Sequence, residues 1–260
     1  RCLTGSLGVV YPTFNEYPES MAGREIVPFL SANGRYGLKE LLEWSKSCDN
    51  LLLINPDNPS GNIVSRSDVL ALLDSMKASG KKLVLDESFI DFCDIPKSSV
   101  FEQAVLDQYP NLILVKSISK SYGVPGARLG VLACSDEAVI ASVRKGLSIW
   151  NINSFGEYFL QIIGKYRKEY EKACERIIEE RRRFVRELES LGWLQVLPSQ
   201  ANYVMCRIET ACSARKLAEE LLSVHNLYIK DLTGKKGVEG DRWIRLAVRD
   251  TADNDRLIAV

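Results

Sequence analysis

The sequence predicts an α/β protein: a large domain on a mainly parallel sheet, then a smaller C-terminal α+β domain. Three observations predict it. Short, wholly apolar runs alternate with segments of helical period over residues 1–150. A proline-free stretch with helical spacing follows over residues 155–191. Beyond Gly192 the elements become shorter and mix both periods. Length agrees: 260 residues make one to two domains and can bury a core without disulfides or metals.

The elements follow in order. Residues 7–11 read as a strand, with Thr4, Gly5 and Ser6 as the bend leading into it. Residues 50–54 read as a strand whose Leu51 to Ile54 are apolar on both alternations, as a strand covered on both faces requires. Ser65 or Ser67 can cap the next helix, whose apolar face is Val69, Leu72, Leu73 and Met76 and whose stop is Gly80. Residues 82–86, 112–116 and 129–134 read as further strands, and 136–145 as a helix. Residues 151–192 are expected to hold one long linking helix, whose 155–191 stretch would span roughly 55 Å. Inside it, Glu179, Glu180, Arg181, Arg182 and Arg183 form a charge run that acids on either side balance, so a solvated face is expected. Residues 193–260 make the small domain, with strands at 202–208 and 243–248, a helix at about 211–224, and a helix at the end.

Composition narrows the function. Lys plus Arg and Asp plus Glu are both 34, which removes the electrostatic argument for nucleic acid or an anionic membrane surface as partner. No apolar stretch approaches the ~20 residues of a membrane span, and no basic-then-apolar signal peptide is expected. Seven cysteines without a C-x-x-C pair suggest reduced thiols and a cytoplasmic location rather than disulfides or zinc. The single histidine, His225, lies between a helix and a strand and is read as structural, so no metal site is expected.

Three strand ends carry polar clusters. Asn55-Pro56-Asp57-Asn58-Pro59-Ser60-Gly61 follows the strand at 50–54, and Asp86-Glu87-Ser88-Phe89 closes the strand at 82–86. Ser117-Ile118-Ser119-Lys120 follows the strand at 112–116, with Arg128 eight residues after the lysine. Ligands of open α/β sheets bind at the carboxyl ends of strands. An amide, a carboxylate, hydroxyls, a lysine and an arginine are therefore expected to converge on one cleft. Each cluster alone also suits a turn or a cap; their order and placement together point to chemistry.

As an ordered set these motifs resemble the fold-type I, pyridoxal-phosphate-dependent aminotransferases of class I and II. Within that superfamily they are most similar to histidinol-phosphate aminotransferases and threonine-phosphate decarboxylases, from Tyr11 to about Arg256. The resemblance implies pyridoxal 5'-phosphate as cofactor and residues 1–150 as the domain that binds it. It makes Lys120 the lysine that forms the Schiff base and shuttles the α-proton, because only a primary amine makes an imine that a substrate amine can displace. It sets Asp86 against the pyridine nitrogen, where a carboxylate keeps the ring electron-accepting. Asn58 would donate to the ring 3-oxygen and Phe14 would stack on the ring. Ser117, Ser119 and Arg128 would hold the cofactor phosphate. Arg245, in Trp243-Ile244-Arg245-Leu246, would clamp the substrate carboxylate with its planar fork, and Asn202 would line the site.

The implied activity is transfer of an amino group between an amino acid, including a phosphorylated one or an amino alcohol phosphate, and a 2-oxo acid, by a homodimer. Phe89 stands where many relatives carry tyrosine, and Trp150-Asn151-Ile152-Asn153 is similar to a decarboxylase segment. Both features favour the alternative, decarboxylation of a phosphorylated amino acid. A third reading is a weakly active domain of a larger protein. The resemblance further implies about a hundred residues before Pro12, among them a turn whose amides hold the cofactor phosphate, so the chain reads as N-terminally truncated.

Overall fold

The structure, a computed structural model, describes residues 3–21, 23–31 and 34–260. A six-stranded sheet comprises β1 (Leu7–Tyr11), β2 (Ile26–Leu30), β3 (Asn50–Ile54), β4 (Lys82–Asp86), β5 (Leu112–Ser117) and β6 (Gly130–Ala133). Their order is β2-β1-β3-β4-β5-β6. All neighbours are parallel except β5 and β6, which are antiparallel. The period of two divides the apolar strands between two layers. Leu51, Leu53, Leu83, Leu85, Leu112 and Leu114 face one core, with Leu41 of the helix at Leu38–Lys46 and Leu72, Leu73 and Met76 of the helix at Arg66–Ala78. Val9, Leu52, Val84 and Ile113 face the other, with Val139 of a helix at Glu137–Gly146. This double burial is what the uninterrupted apolar runs anticipate.

Local signals act as read. Ser65, not Ser67, caps the helix at Arg66–Ala78, its Oγ accepting from Asp68 N at 3.1 Å. Asp136 caps the helix at Glu137–Gly146 through Ala138 N at 3.0 Å and Val139 N at 3.3 Å. The strand β2 was not legible because it contains Pro28; at the sheet edge that residue's missing N–H leaves no ladder bond broken.

The linking helix is not continuous, contrary to the sequence reading. Helices run over Ser154–Ile162 and Arg167–Ser190, with a tighter 3₁₀ turn at Ile163–Tyr166 between them. Gly164 sits in that turn, and glycine's helix propensity is about 1 kcal/mol below alanine's. Tyr122 packs into the junction, edge-on to Phe159 and stacked on Tyr170 with centroids 3.9 Å apart. The charge run is also not a wholly solvated face. Arg181 is 2% exposed and donates to the carbonyls of Phe92 at 2.5 Å and Ala201 at 3.0 Å.

A second, antiparallel sheet holds β7 (Leu194–Val196), β8 (Tyr203–Ile208), β9 (Lys230–Asp231) and β10 (Trp243–Ala247), in the order β7-β8-β10-β9. Val204, Cys206, Ile244 and Leu246 pack on Phe184 and Leu188 of the helix at Arg167–Ser190 and on Leu221 of the helix at Ala214–His225. His225 closes that helix, and its carbonyl accepts from Arg256 Nη2 at 2.5 Å, a structural setting. Phe89 and Phe92, just past β4, meet Ala201 and Tyr203, at the start of β8, in one apolar cluster. No described helix is long and apolar enough to cross a membrane.

Candidate active site

Every candidate residue comes from the carboxyl edge of the first sheet or from the second sheet facing it. Phe14 lies three residues past β1, Asn58 four past β3, and Asp86 ends β4. Ser117 ends β5, and Ser119 and Lys120 sit in a short helix, Ile118–Ser121, beyond it. Because β6 runs antiparallel, its beginning returns to the same edge, which brings Arg128 back beside Lys120. Arg128 has φ of 54°, a left-handed conformation uncommon outside glycine.

Two adjoining cavities result. The first, about 530 Å³, is lined by Phe14, Asn58, Asp86, Ser117, Ser119, Lys120 and Arg128. The second, about 500 Å³, is lined by Phe14, Asn58, Lys120, Asn202 and Arg245. Phe14, Asn58, Phe89 and Lys120 belong to both. All the sequence-derived candidates thus border one continuous cleft.

Asp86 is the most constrained of them. Its Oδ1 accepts from Ser88 N at 2.8 Å and Ser88 Oγ at 2.5 Å; its Oδ2 accepts from Tyr17 Oη at 2.5 Å. Ser88 Oγ also accepts from Ser117 N at 2.8 Å, which ties the end of β4 to the end of β5. The adjacent Glu87 points the opposite way, as strand alternation requires. It accepts from Val100 N at 2.8 Å and Ser99 Oγ at 2.5 Å, and burial raises its pKa, so its role is structural.

Asn58 Oδ1 accepts from Arg245 Nη1 at 2.6 Å, and the Arg245 guanidinium lies 5.0 Å over the Tyr203 ring. The loop carrying Asn58 is held from below. Tyr203 Oη donates to the Asp57 carbonyl at 2.8 Å, and Gln200 N to the Gly61 carbonyl at 2.9 Å. Gly61 has φ of +70°, and a Cβ there would collide with Ser199, so only glycine lets the two segments approach. Asp57 is fully enclosed; burial pushes its carboxyl up to about 7 despite hydrogen bonds from Ser60.

Two lysines lie near the cleft floor, and their surroundings separate them. Lys116 Nζ is bound to Asp91 Oδ1 at 2.8 Å. The side chains of Lys120 and Arg128 have no hydrogen bond or ion pair among the described residues and border the cavity. Ser119 Oγ turns to the Leu129 carbonyl at 3.4 Å, so of the two serines Ser117 has the hydroxyl free of such a contact. Tyr17, Ser88, Lys230 and Lys235 also belong to the cleft but were missed in the sequence. Ser88 was visible inside the Asp86–Phe89 motif; Tyr17 follows Phe14 by three residues; nothing local marks the two lysines.

Residues 9–260 match the family described as aminotransferase class I and II. The chain belongs to that family. The aminotransferase family depends on pyridoxal 5'-phosphate. A solved histidinol-phosphate aminotransferase from Sinorhizobium meliloti, in complex with pyridoxal 5'-phosphate, is 26% identical, with a TM-score of 0.82 over 99% of this chain and 69% of that one. An L-serine phosphate decarboxylase from Sulfurospirillum multivorans is 33% identical over 97% of this chain and 66% of its own length. A CMP-5'-(3-aminopropyl)phosphonate synthase from Streptomyces rubellomurinus is 32% identical over 99% of this chain and 41% of its own length. The chain thus spans between two fifths and two thirds of these two relatives.

The side chains present suit the family cofactor. The first cavity offers an aromatic face in Phe14, a carboxylate in Asp86, an unpaired amine in Lys120, and an unpaired cation beside a hydroxyl in Arg128 and Ser117. A flat, nitrogen-containing ring with an aldehyde and a phosphate tail is complementary to that set. Among the described residues no cluster of His, Cys, Asp and Glu could hold a metal ion.

Proposed function

We propose that the chain carries the catalytic core of a pyridoxal-phosphate-dependent enzyme that decarboxylates a phosphorylated amino acid. The observation that carries the reading is the position of Lys120, unpaired, at the junction of a cavity suited to the cofactor and a cavity suited to a substrate. Bound cofactor supplies a protonated pyridine ring that accepts the electron pair released at the substrate Cα. Asp86, oriented by Tyr17 and Ser88, holds the proton on the pyridine nitrogen. Arg128 and Ser117 hold the phosphate tail. Arg245 binds the substrate carboxylate, and its bond to Asn58 fixes the guanidinium at the mouth of the first cavity. Lys120 Nζ, reaching both cavities, delivers the proton that replaces the departing carboxylate at Cα.

Decarboxylation is favoured over transfer by two facts. Phe89 contributes no hydroxyl, and its edge is packed on Tyr203 at 5.0 Å, leaving Asn58 as the amide donor on that side of the cleft. The phosphoserine decarboxylase is also more similar in sequence than the solved aminotransferase. Amino transfer to a 2-oxo acid is the second reading; it uses the same residues, with Lys120 moving the α-proton instead. Incubation of the full-length protein with pyridoxal phosphate and O-phospho-L-serine or O-phospho-L-threonine distinguishes them. Carbon dioxide and the phosphorylated amine are the expected products. A 2-oxo acid formed only when 2-oxoglutarate is supplied would instead establish transfer.

A further inference from the structure

Phe14, the aromatic face of the first cavity, is 45% exposed and stands between the end of β1 and the short helix Glu16–Ser20. Its ring contact among the described residues is Tyr17, edge-on with centroids 6.3 Å apart. The segment around it, Tyr11 to Asn15, is gripped from the second sheet. Three consecutive residues of the loop between β9 and β10 reach it. Lys235 Nζ donates to Asn15 Oδ1 at 2.5 Å. Asn15 gives the helix after it no side-chain cap, so its amide is committed to Lys235. Lys236 Nζ lies 4.4 Å from the centre of the Tyr11 ring, a cation on an aromatic face. Gly237 lies so close to the Tyr11–Pro12 peptide that a Cβ there would come within 2.7 Å of Pro12 N and 2.8 Å of the Tyr11 carbonyl carbon.

The loop is built to hold a position. Lys235 N donates to the Leu232 carbonyl at 3.1 Å, and Val238 N to the Lys235 carbonyl at 2.9 Å, two turns in succession. Leu232 and Val238 pack with Met205 of β8 and Trp243 of β10. Gly237 has φ of +82°, a left-handed conformation that strains any side chain, so glycine is required there for both its backbone and its close approach. On the other side, Tyr11 is fixed in the first sheet: its carbonyl accepts from Ser31 N at 3.0 Å and Ser31 Oγ at 2.7 Å. The loop thus brackets Phe14, with Tyr11 and Pro12 held on its N-terminal side and Asn15 on its C-terminal side.

We propose that Lys235, Lys236 and Gly237 are positioning residues for the cofactor: they act through Phe14 and set how its ring meets the flat face of pyridoxal phosphate. The proposal rests on the reading that places Phe14 against the cofactor ring. A loop of the sheet that builds the second cavity then sets the aromatic wall of the first, and that wall is complete only when the two sheets are docked. Contacts between aromatic rings depend on centroid distance and offset, so a displaced loop shows in the cofactor's affinity and in its spectrum.

Titration of the full-length protein with pyridoxal phosphate, followed by fluorescence and visible circular dichroism, tests this without turnover. Phe14→Leu is expected to weaken cofactor binding by about two- to tenfold, the range of an aromatic contact, and to change the dichroism of the bound cofactor. Gly237→Ala should fall in the same range and change the dichroism too. Gly234→Ala and Gly240→Ala control for backbone strain: their φ values are +75° and +78° in the same loop, but a Cβ there meets nothing within 4 Å. Both should bind as the wild type does. Asn15→Ala, which removes the far anchor without a collision, should act as Gly237→Ala does. In a Phe14→Leu background Gly237→Ala should cost nothing further, because a residue that acts through another falls silent once the other is gone. Full additivity of those two changes, or wild-type affinity and dichroism in both Gly237→Ala and Asn15→Ala, overturns the positioning role alone. Wild-type behaviour of Phe14→Leu overturns the placement of Phe14 on the ring, and the proposal with it.

Discussion

The phenol of Tyr17 donates to Asp86 Oδ2 at 2.5 Å, across 69 positions of sequence. The contact joins the loop that presents Phe14 to the end of β4, so the aromatic face and the carboxylate of the first cavity move as one unit. Burial first, and the Asp86 charge second, raise the Tyr17 pKa far above that of a free phenol. The phenol therefore remains a donor throughout the range in which the carboxylate is charged.

Tyrosine titration checks that state directly. Wild-type protein and Tyr17→Phe should show the same phenolate absorbance gain up to about pH 11, a unit above the free phenol value of about 10. One titrating tyrosine fewer in the variant would mean Tyr17 ionises normally and does not hold Asp86. The variant should also retain pyridoxal phosphate less well, since a hydrogen bond to a charged group contributes about 1.5–3 kcal/mol.

Lys120, not Lys116, should be the residue trapped when the protein with pyridoxal phosphate is reduced with borohydride and mapped by peptide mass. Lys116 is occupied by Asp91 at 2.8 Å, whereas Lys120 borders both cavities unpaired. A label on Lys116 would reverse the assignment.

Asp86→Ala and Asn58→Ala should fail differently. Asp86 acts only toward the first cavity, so its loss is expected mainly in kcat. Asn58 accepts from Arg245 at 2.6 Å, so its removal frees the guanidinium as well and should raise KM for the amino acid substrate. Steady-state kinetics on both variants decides it; an unchanged KM in Asn58→Ala would detach Arg245 from substrate binding.

Arg181 and Arg182 are adjacent in sequence but should differ in stability. Arg181 is buried on the carbonyls of Phe92 and Ala201 and lies 3.4 Å from Asp94; Arg182 reaches the same Asp94 from solvent. Arg181→Met should cost about 1–3 kcal/mol for each of the two buried carbonyls it strands, those of Phe92 and Ala201. Arg182→Met should cost about 0–1 kcal/mol. Urea denaturation of the two variants measures both.

Asp57 gives a pH-dependent term. Its folded pKa of about 7 lies above the ordinary value near 3.8, chiefly through burial. The folded state therefore binds the proton more tightly than the unfolded chain. The resulting stability is full below about pH 4 and is lost as pH rises toward and through about 7. Asp57→Asn should remove that slope, so the difference in unfolding free energy between variant and wild type should change across this window. A constant difference would mean Asp57 is ionised in the fold.

Much of this was written in short stretches of the chain. Uninterrupted apolar runs at residues 51–54, 83–85 and 112–115 fixed strands covered on both faces, because successive residues point to opposite faces. Strand ends are where an open sheet exposes side chains to a ligand, so Asn58, Asp86, Lys120 and Arg128 could be gathered on one cleft before any contact was known. Other features depended on packing between distant segments. The helix over 155–191 kept its period but broke at Ile163–Tyr166, where Tyr122 packs into the junction. Arg181 looked like one charge in a solvated run until the loop of Phe92 and the turn before β8 closed over it. The pairing of Tyr17 with Asp86 and the register that sets Arg245 opposite Lys230 lie beyond any local pattern. Periodicity, caps and turns are set by residues a few positions apart; which carboxylate meets which phenol, and which cations share a wall, is set by how the two sheets dock.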